Sequence, residues 1–558
     1  MQHSKVSTLK TYRTEVIFFA ALFVYYLMGV IPDMTFVSQG GDGFDYVVGS
    51  QNMWAVRPTG YPILIMLGWF FEKLPGNAFW NLGLLSAISS WITCIFIFKL
   101  SKYLIKQYNP DSKWTLAPYI AALTYAASFL VWTQSGIPEV YTLCTMLTVM
   151  AIYFALQSRW LACSIVLAVG VGTHHLIAFT VFALGAYAIY RHLRGQEKIK
   201  LWLYPLIICL GFLAYLQTIL PNGPKETTSG LVAIGSQSSG SIGFVFGLPL
   251  TETWNRIKEA VPILLTGLGI GYVVLPMIIK KQRLPIYLIW SLVVIHFAYY
   301  FFSNIPMWVV YLVPAFAFGA VLVGYGVSKL KWKLAPVFFV LAPLVFMVFN
   351  IATYDIGNTI DKSPTGARRM YTQLDTVPDG AILYLDRWGE PWLETYYYWV
   401  HNPRFNFLFE GELRFHPESY VPYKEESGFT IPRDGDDITT MFLKYGNLSE
   451  NTLYYTSWNR EIFLEDLCTS NPGVPIYTVT ERTGTKFDEL NFTFGPYNCS
   501  EEVNNESTTT EIQGSIEYYP DCFVHWPFCP GSIDVPGICC DNAGGLPTDK
   551  MEWSNGNQ

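Results

Sequence analysis

Apolar residues in the first 351 positions come in long unbroken stretches rather than in alternation. The stretches lie near 15–31, 82–99, 116–133, 140–157, 160–173, 176–190, 202–220, 260–279, 285–302, 307–326 and 334–351. Most approach the about 20 residues a helix needs to cross a bilayer, which gives about eleven spans. Each is expected to be helical, because lipid offers open backbone no hydrogen-bond partner. A further apolar run at 63–71 is too short to cross and reads as a re-entrant or interfacial helix. Past position 352 the pattern changes. Pro378-Asp379-Gly380 forms a turn before the buried strand Ala381-Ile382-Leu383-Tyr384-Leu385. A helical stretch at 392–400 and strand-like runs at 405–409, 453–456 and 474–479 follow, which together suggest a small α/β layer. The predicted architecture is an α-helical multi-pass membrane domain over 1–351 and a soluble α/β domain over 352–490. A polar, cysteine-rich tail over 491–558 follows, and no internal repeat is visible.

Composition agrees with this division. Of 558 residues, 51% are hydrophobic and 14% charged, which excludes an ordinary soluble protein. The net charge of −7 says little about partners, because most of the acid sits past position 352, and nothing resembles a nucleic-acid-binding surface. Basic residues gather in the N-terminus (Lys5, Lys10, Arg13) and in alternate loops. These loops hold Lys99, Lys102, Lys106 and Lys113, then Arg159, then Arg191, Arg194, Lys198 and Lys200, then Lys280, Lys281 and Arg283, then Lys329, Lys331 and Lys333. The positive-inside rule therefore puts the N-terminus in the cytosol. The first loop and the segments 134–139, 174–175 and 221–258 then face outward. With an odd span count, so does everything past 351. No small-residue cleavage site follows the first apolar run, so an uncleaved anchor is expected.

The last hundred residues carry Cys468, Cys499, Cys522, Cys529, Cys539 and Cys540. An even set on the outward side suggests disulfides. Zinc is the rival reading, with His525 between Cys522 and Cys529, although the spacing matches no usual ligand pattern. Asn447, Asn491, Asn498 and Asn505 each begin an Asn-x-Ser/Thr triplet that a secretory lumen would glycosylate.

Candidate chemistry concentrates on the outward side. Gly41-Asp42-Gly43-Phe44-Asp45 puts two carboxylates in the first loop. A carboxylate in a partly dry pocket can take the proton from an attacking hydroxyl, or hold a cation, and an Asp-Gly pair is also an ordinary turn. Arg57-Pro58-Thr59-Gly60-Tyr61-Pro62 follows, a rigid turn whose Arg57 suits a phosphate, or equally snorkels to headgroups. His174-His175 lies between the fifth and sixth spans, suited to a phosphate, a metal or ordinary interfacial hydrogen bonds. Glu139 opens the fourth span on the same side.

These motifs resemble the multi-pass glycosyltransferases of the GT-C fold, in the branch that includes a secretory-pathway protein O-mannosyltransferase. That branch shows Gly-Asp-Ser-Ala/Gly-Glu and then His-Pro-Pro-Gly-Tyr-Pro. This chain has Asp45 for the glutamate, Arg57 for the histidine and Thr59 for a proline. Pro138-Glu139-Val140-Tyr141-Thr142-Leu143, Thr173-His174-His175-Leu176 and Val377–Leu383 resemble further family segments in the family's order, and the likeness spans about the first 410 residues.

The resemblance implies transfer of a sugar, mannose by family, from a polyprenyl-phosphate carrier to a hydroxyl acceptor, with inversion. The acceptor is a polypeptide Ser/Thr or a glycan. Asp42 and Asp45 take the catalytic positions, with Asp42 as general base. Arg57, His174 and His175 bind the donor phosphate, supported by Glu139 and Tyr61. The implied enzyme requires no metal and no cofactor beyond the lipid-linked donor. It works in the endoplasmic reticulum or another secretory membrane. A transporter or a non-catalytic membrane scaffold is the competing expectation from the residues alone; transporters usually show repeated halves and mid-membrane charges.

Overall fold

The computed structural model describes residues 2–31, 42–53, 61–197, 200, 202–216, 250–265, 283–302, 309–331, 335–353, 376–385, 406–409, 460–483 and 491–499. The chain separates into two compact units, Met1–Tyr497 and Asn498–Gln558. Of the second, only positions 498 and 499 are described.

The first unit begins with α1 (Gln2–Leu27), α2 (Asp42–Asn52), α3 (Pro62–Phe71), α4 (Ala78–Tyr108), α5 (Ala117–Ala127), α6 (Phe129–Gly136) and α7 (Val140–Leu156). It continues with α8 (Trp160–Val171), α9 (Ile177–Leu193), α10 (Leu203–Leu210), α11 (Leu250–Leu265), α12 (Leu284–Phe302), α13 (Val313–Val327) and α14 (Ala335–Thr353). Helices stand at nearly all the apolar runs. By length and composition, three described helices are apolar enough to cross a membrane: α4, α12 and the stretch Val309–Val327. The pair α6 and α7 makes a fourth if taken as one bent span.

Three local readings change. The first acidic loop is instead the start of a helix, since Asp42 opens α2. The run at 116–133 is two helices, broken where Ser128 turns extended at φ −62°, ψ 124°. The break frees a carbonyl, and Asn350 of α14 donates to Ala127 O at 3.1 Å. The run at 202–220 tightens after α10 into the 3-10 turn Gly211–Tyr215.

Every residue of α13 is buried, so this helix forms the centre of the bundle. Apolar lipid gives no hydrophobic drive between helices, so close packing of small residues has to hold them. Gly324 shows how tight that packing is: a Cβ there would stand 2.6 Å from both the Ala121 Cβ and the Ser101 Oγ. At the far end of α4, Asn109 and Ser112 both donate to Ser328 O, at 2.7 and 3.0 Å, and the Trp114 indole donates to Leu330 O at 2.9 Å.

Beyond the helices lies a four-stranded mixed sheet in the order β2-β1-β3-β4. Its strands are β1 (Ile382–Leu385), β2 (Asn406–Phe409), β3 (Ile476–Thr483) and β4 (Asn491–Pro496), and α15 (Arg460–Ser470) precedes β3. β1 runs parallel to both neighbours, and β4 closes the sheet antiparallel to β3. The strand readings near 381–385, 405–409 and 474–479 therefore hold, whereas α15 was not anticipated. The stretches 392–400 and 453–456 lie outside the described residues. Cys468 and Cys499 are both disulfide-bonded.

Candidate active site

Four chain segments meet around the histidine pair. Gly43, in the first turn of α2, is buried, and a Cβ there would lie 3.4 Å from Pro138. The acidic turn thus abuts the residue before Glu139. Positions 42 and 45 stand one turn apart on α2, a spacing that shares a helix face. The side chains of Asp42 and Asp45, and all of Arg57, lie outside the described residues.

Tyr61 joins the next segment. It caps α3 in the left-handed region, at φ 39° and ψ 48°. That conformation is costly for any residue with a Cβ, and a following proline disfavours it further. Such strain costs about 1–3 kcal/mol and persists only where the surroundings hold it. Here Ile63 N donates to Gly172 O at 3.0 Å, just ahead of the histidines. The Tyr61 ring lies flat on His174, with centroids 5.6 Å apart and planes 4° apart. Tyr46 of α2 meets the Tyr61 ring edge-on at 5.6 Å.

Glu139 is 3% exposed and caps α7, its carboxylate accepting from Val140 N at 3.2 Å. A carboxylate at that end is favoured by the helix dipole. The Ser86 hydroxyl lies 3.2 Å from both the Glu139 carbonyl and its amide, fixing the segment to α4. Tyr141, two residues on, contacts the His174 ring edge-on at 5.4 Å.

His174 is 1% exposed. Its Nδ1 accepts from Leu176 N at 3.2 Å, so the neutral ring carries its proton on Nε2. Nε2 is buried with no hydrogen-bond partner among the described residues. Burial, and then the neighbouring His175, hold His174 well below the usual imidazole range. Desolvation by the protein around it pushes His175 down to about 4, although the residue is exposed. Both rings are therefore neutral near pH 7 and act through N–H groups and lone pairs rather than through charge.

The structure adds three residues that the sequence reading missed. The Tyr299 hydroxyl, at the end of α12, lies 3.4 Å from His175 Nε2. Tyr311 packs against His175 at 6.0 Å and against Tyr141 at 5.4 Å. Arg256 of α11 is 6% exposed and donates to Tyr300 O at 2.8 Å, beside Tyr299. Arg256 carried a usable signal, since it is one of few bases in a segment read as outward. The tyrosines carried none beyond the aromatic enrichment common at a membrane interface.

Asp42, Asp45, Tyr61, Glu139, His174 and His175 thus fall on segments packed together. They also fall within residues 42–197, which match the sequence family described as the protein O-mannosyl-transferase TMEM260 N-terminal domain. No curated protein matches the chain by sequence. Among solved structures, the chain is similar to ArnT from Cupriavidus metallidurans bound to undecaprenyl phosphate. The TM-score is 0.55 at 12% identity, over 86% of this chain and 97% of that one. The same protein in the apo state matches with a TM-score of 0.51 at 12% identity, over 84% and 94%. The match to a protein O-mannosyl-transferase domain thus covers the segments that carry the candidate site, and the chain as a whole has a fold similar to that of ArnT.

Proposed function

We propose that the exposed His175 and the segments packed around it form the transfer site, where mannose passes from a polyprenyl phosphate to a Ser or Thr hydroxyl of a polypeptide. The observation that carries this reading is the Tyr61–His174 stack, which joins the Gly-Tyr-Pro turn to the histidine pair. ArnT, whose fold this chain shares, binds undecaprenyl phosphate. That supports a carrier of the same class here, its apolar tail lying between helices.

Asp42 takes the proton of the acceptor hydroxyl as its oxygen attacks the anomeric carbon. The bond from that carbon to the phosphate oxygen breaks with inversion, and the phosphate leaves with the electron pair. Asp45 orients the acceptor or the sugar. Negative charge grows on the leaving phosphate, so donors fixed in advance lower the barrier most. The His174 and His175 rings supply neutral N–H groups, and Arg57 and Arg256 supply the charge. Glu139 and Tyr61 position these groups. The site faces the lumen of a secretory membrane, the N-terminus is cytosolic, and the helical domain over 1–351 is followed by a soluble layer over 352–490. The tail at 491–558 also lies in the lumen.

The test is incubation of the purified full chain with labelled dolichyl-phosphate mannose and a Ser/Thr peptide. Wild type is expected to move label to peptide, and Asp42→Asn to abolish transfer while still inserting into microsomes. Full transfer by that variant would refute the role of Asp42.

A further inference from the structure

A second polar cluster lies at the other end of the bundle. Ser86 is tied to Glu139 near the histidines, and Tyr108 ends the same helix about 33 Å further along at the α-helical rise. That length matches the roughly 30 Å hydrocarbon core of a bilayer. Around Tyr108, α9 and α13 end and α12 begins, and α12 packs on both.

Each of these helix ends brings a cation. Lys329, just past α13, donates to Tyr108 O at 3.0 Å and sits 5.4 Å over the Tyr325 ring. Arg283 immediately precedes α12 and is exposed. Arg191, in the last turn of α9, donates to the Tyr187 hydroxyl at 3.1 Å. Two acids are described at this end: Glu197 is already engaged by Arg191 at 2.8 Å, by Ser158 and by the Trp160 indole, and Asp111 is exposed beside Ser112. The Arg191 Nε is buried without a hydrogen-bond partner among the described residues.

Among the described residues, Arg283 and Lys329 have no ion-pair partner. Arg283 precedes α12 and Lys329 follows α13, and these two helices pack on each other; in keeping with that, partial burial and then the charge of Arg283 hold Lys329 below the ordinary lysine range. The charge of Arg283 also bears on Tyr108 and Tyr325. Converging cations that repel one another are stabilised by an anion between them. Basic pockets between helix ends at a membrane surface take the phosphates of lipid headgroups.

We propose that this end of the bundle binds a phosphate oxyanion, with Arg283 and Lys329 as its two charged arms and the tyrosines as a rigid wall. Lys329 is held by the Tyr108 carbonyl, and the Asn109–Ser328 bond at 2.7 Å locks the two helix ends together. The site is therefore built in advance. The phosphate comes either from an anionic phospholipid or from solution, and the proposal stands independently of the transfer reaction.

The test uses the full chain in phosphatidylcholine nanodiscs doped with phosphatidic acid, with retained lipid counted by native mass spectrometry. A second arm titrates the detergent-purified chain with inorganic phosphate. For a lipid site, wild type retains phosphatidic acid and the Arg283→Gln/Lys329→Gln variant retains about thirty-fold less, the factor for two cations at a membrane surface. The Lys102→Gln variant, altered at a cation paired with Glu15, binds as wild type. For a soluble-phosphate site, inorganic phosphate binds with the same dependence on the variants and phosphatidic acid is not selected. Equal binding by all variants, or no preference for either phosphate over phosphatidylcholine, would overturn the proposal. Mannosyl transfer by the double variant is expected to be unchanged and serves as its folding control. If the double variant does not fold, Arg283→Gln alone, an exposed substitution, is expected to show about a five-fold loss, and no loss there overturns the proposal.

Discussion

Gly68→Ala should damage transfer far more than it damages the fold. Gly68 lies on α3 where α2 crosses it, and a Cβ there would stand 2.1 Å from Ser50 Oγ and 2.9 Å from Ser50 Cβ. Rotating the hydroxyl away relieves the first contact but not the second. Ordinary carbon–carbon contact is about 3.5–4.0 Å, so α2 and α3 must part by roughly 0.6–1 Å. Overpacking of this kind costs roughly 1–3 kcal/mol. Replacing a helical glycine by alanine returns roughly 0.8–1 kcal/mol, so net stability changes by at most about 2 kcal/mol. Catalysis has no such compensation. α2 begins with Asp42, and α3 follows Tyr61, which stacks on His174, so the shift separates the base from the donor site. A misplacement of about 1 Å can cost about a hundredfold in rate. The assay is transfer of labelled mannose to peptide, with melting temperature measured in parallel. Ser50→Gly in the Gly68→Ala background should restore the rate, whereas Ser50→Ala should not, because it keeps the offending Cβ. Wild-type rates for Gly68→Ala, or equal rescue by Ser50→Ala and Ser50→Gly, would refute the reasoning.

Tyr299→Phe keeps the ring but removes the hydroxyl beside His175 Nε2. Losing one such bond costs about 0.5–1.5 kcal/mol, so kcat/KM for the lipid donor should fall about two- to tenfold, and an unchanged value would exclude the contact from the site. His175 titrates near 4 in the fold and near 6.5 when unfolded, so the unfolded chain binds the extra proton between these values. Its contribution to stability is present above about 6.5 and lost as pH falls through 4. The melting temperature of wild type should drop more steeply than that of His175→Gln over that range, and parallel curves would contradict it. Glu72 works the other way. Burial, against the pull of Lys73, pushes its carboxyl up to about 8, and Oε1 has no hydrogen-bond partner among the described residues. The fold then holds a proton that the unfolded chain loses above about 4.5, so stability falls as pH rises from there through 8. Glu72→Gln should raise the melting temperature most above pH 8, and a gain independent of pH would argue against burial as the cause.

The membrane helices were legible because their apolar runs are long, and the motifs because they keep the order of a known family. Helix breaks were not legible. Ser128 carries no strong breaking signal, and the interruption is stabilised from a distant segment through Asn350. The acidic segment read as a loop because two glycines flank Asp42, and only packing on Pro138 favours a helix with Gly43 in its first turn. The histidine pair was legible as polar residues at a helix junction, but the burial of His174 that keeps its ring neutral has no signature in local sequence. Tyr299 and Tyr311 were invisible for the same reason, as they acquire meaning only where distant helix ends converge on His175.

The left-handed turn at Tyr61 has an evolutionary corollary. A costly backbone conformation survives descent only while something repays it, and here the facing ring of His174 is part of that repayment. A lineage that loses the imidazole inherits strain with less to hold it, and one that loses the phenol inherits a histidine with an open flank. The two positions should therefore mutate in tandem across descendants, and drift at either alone should be purged.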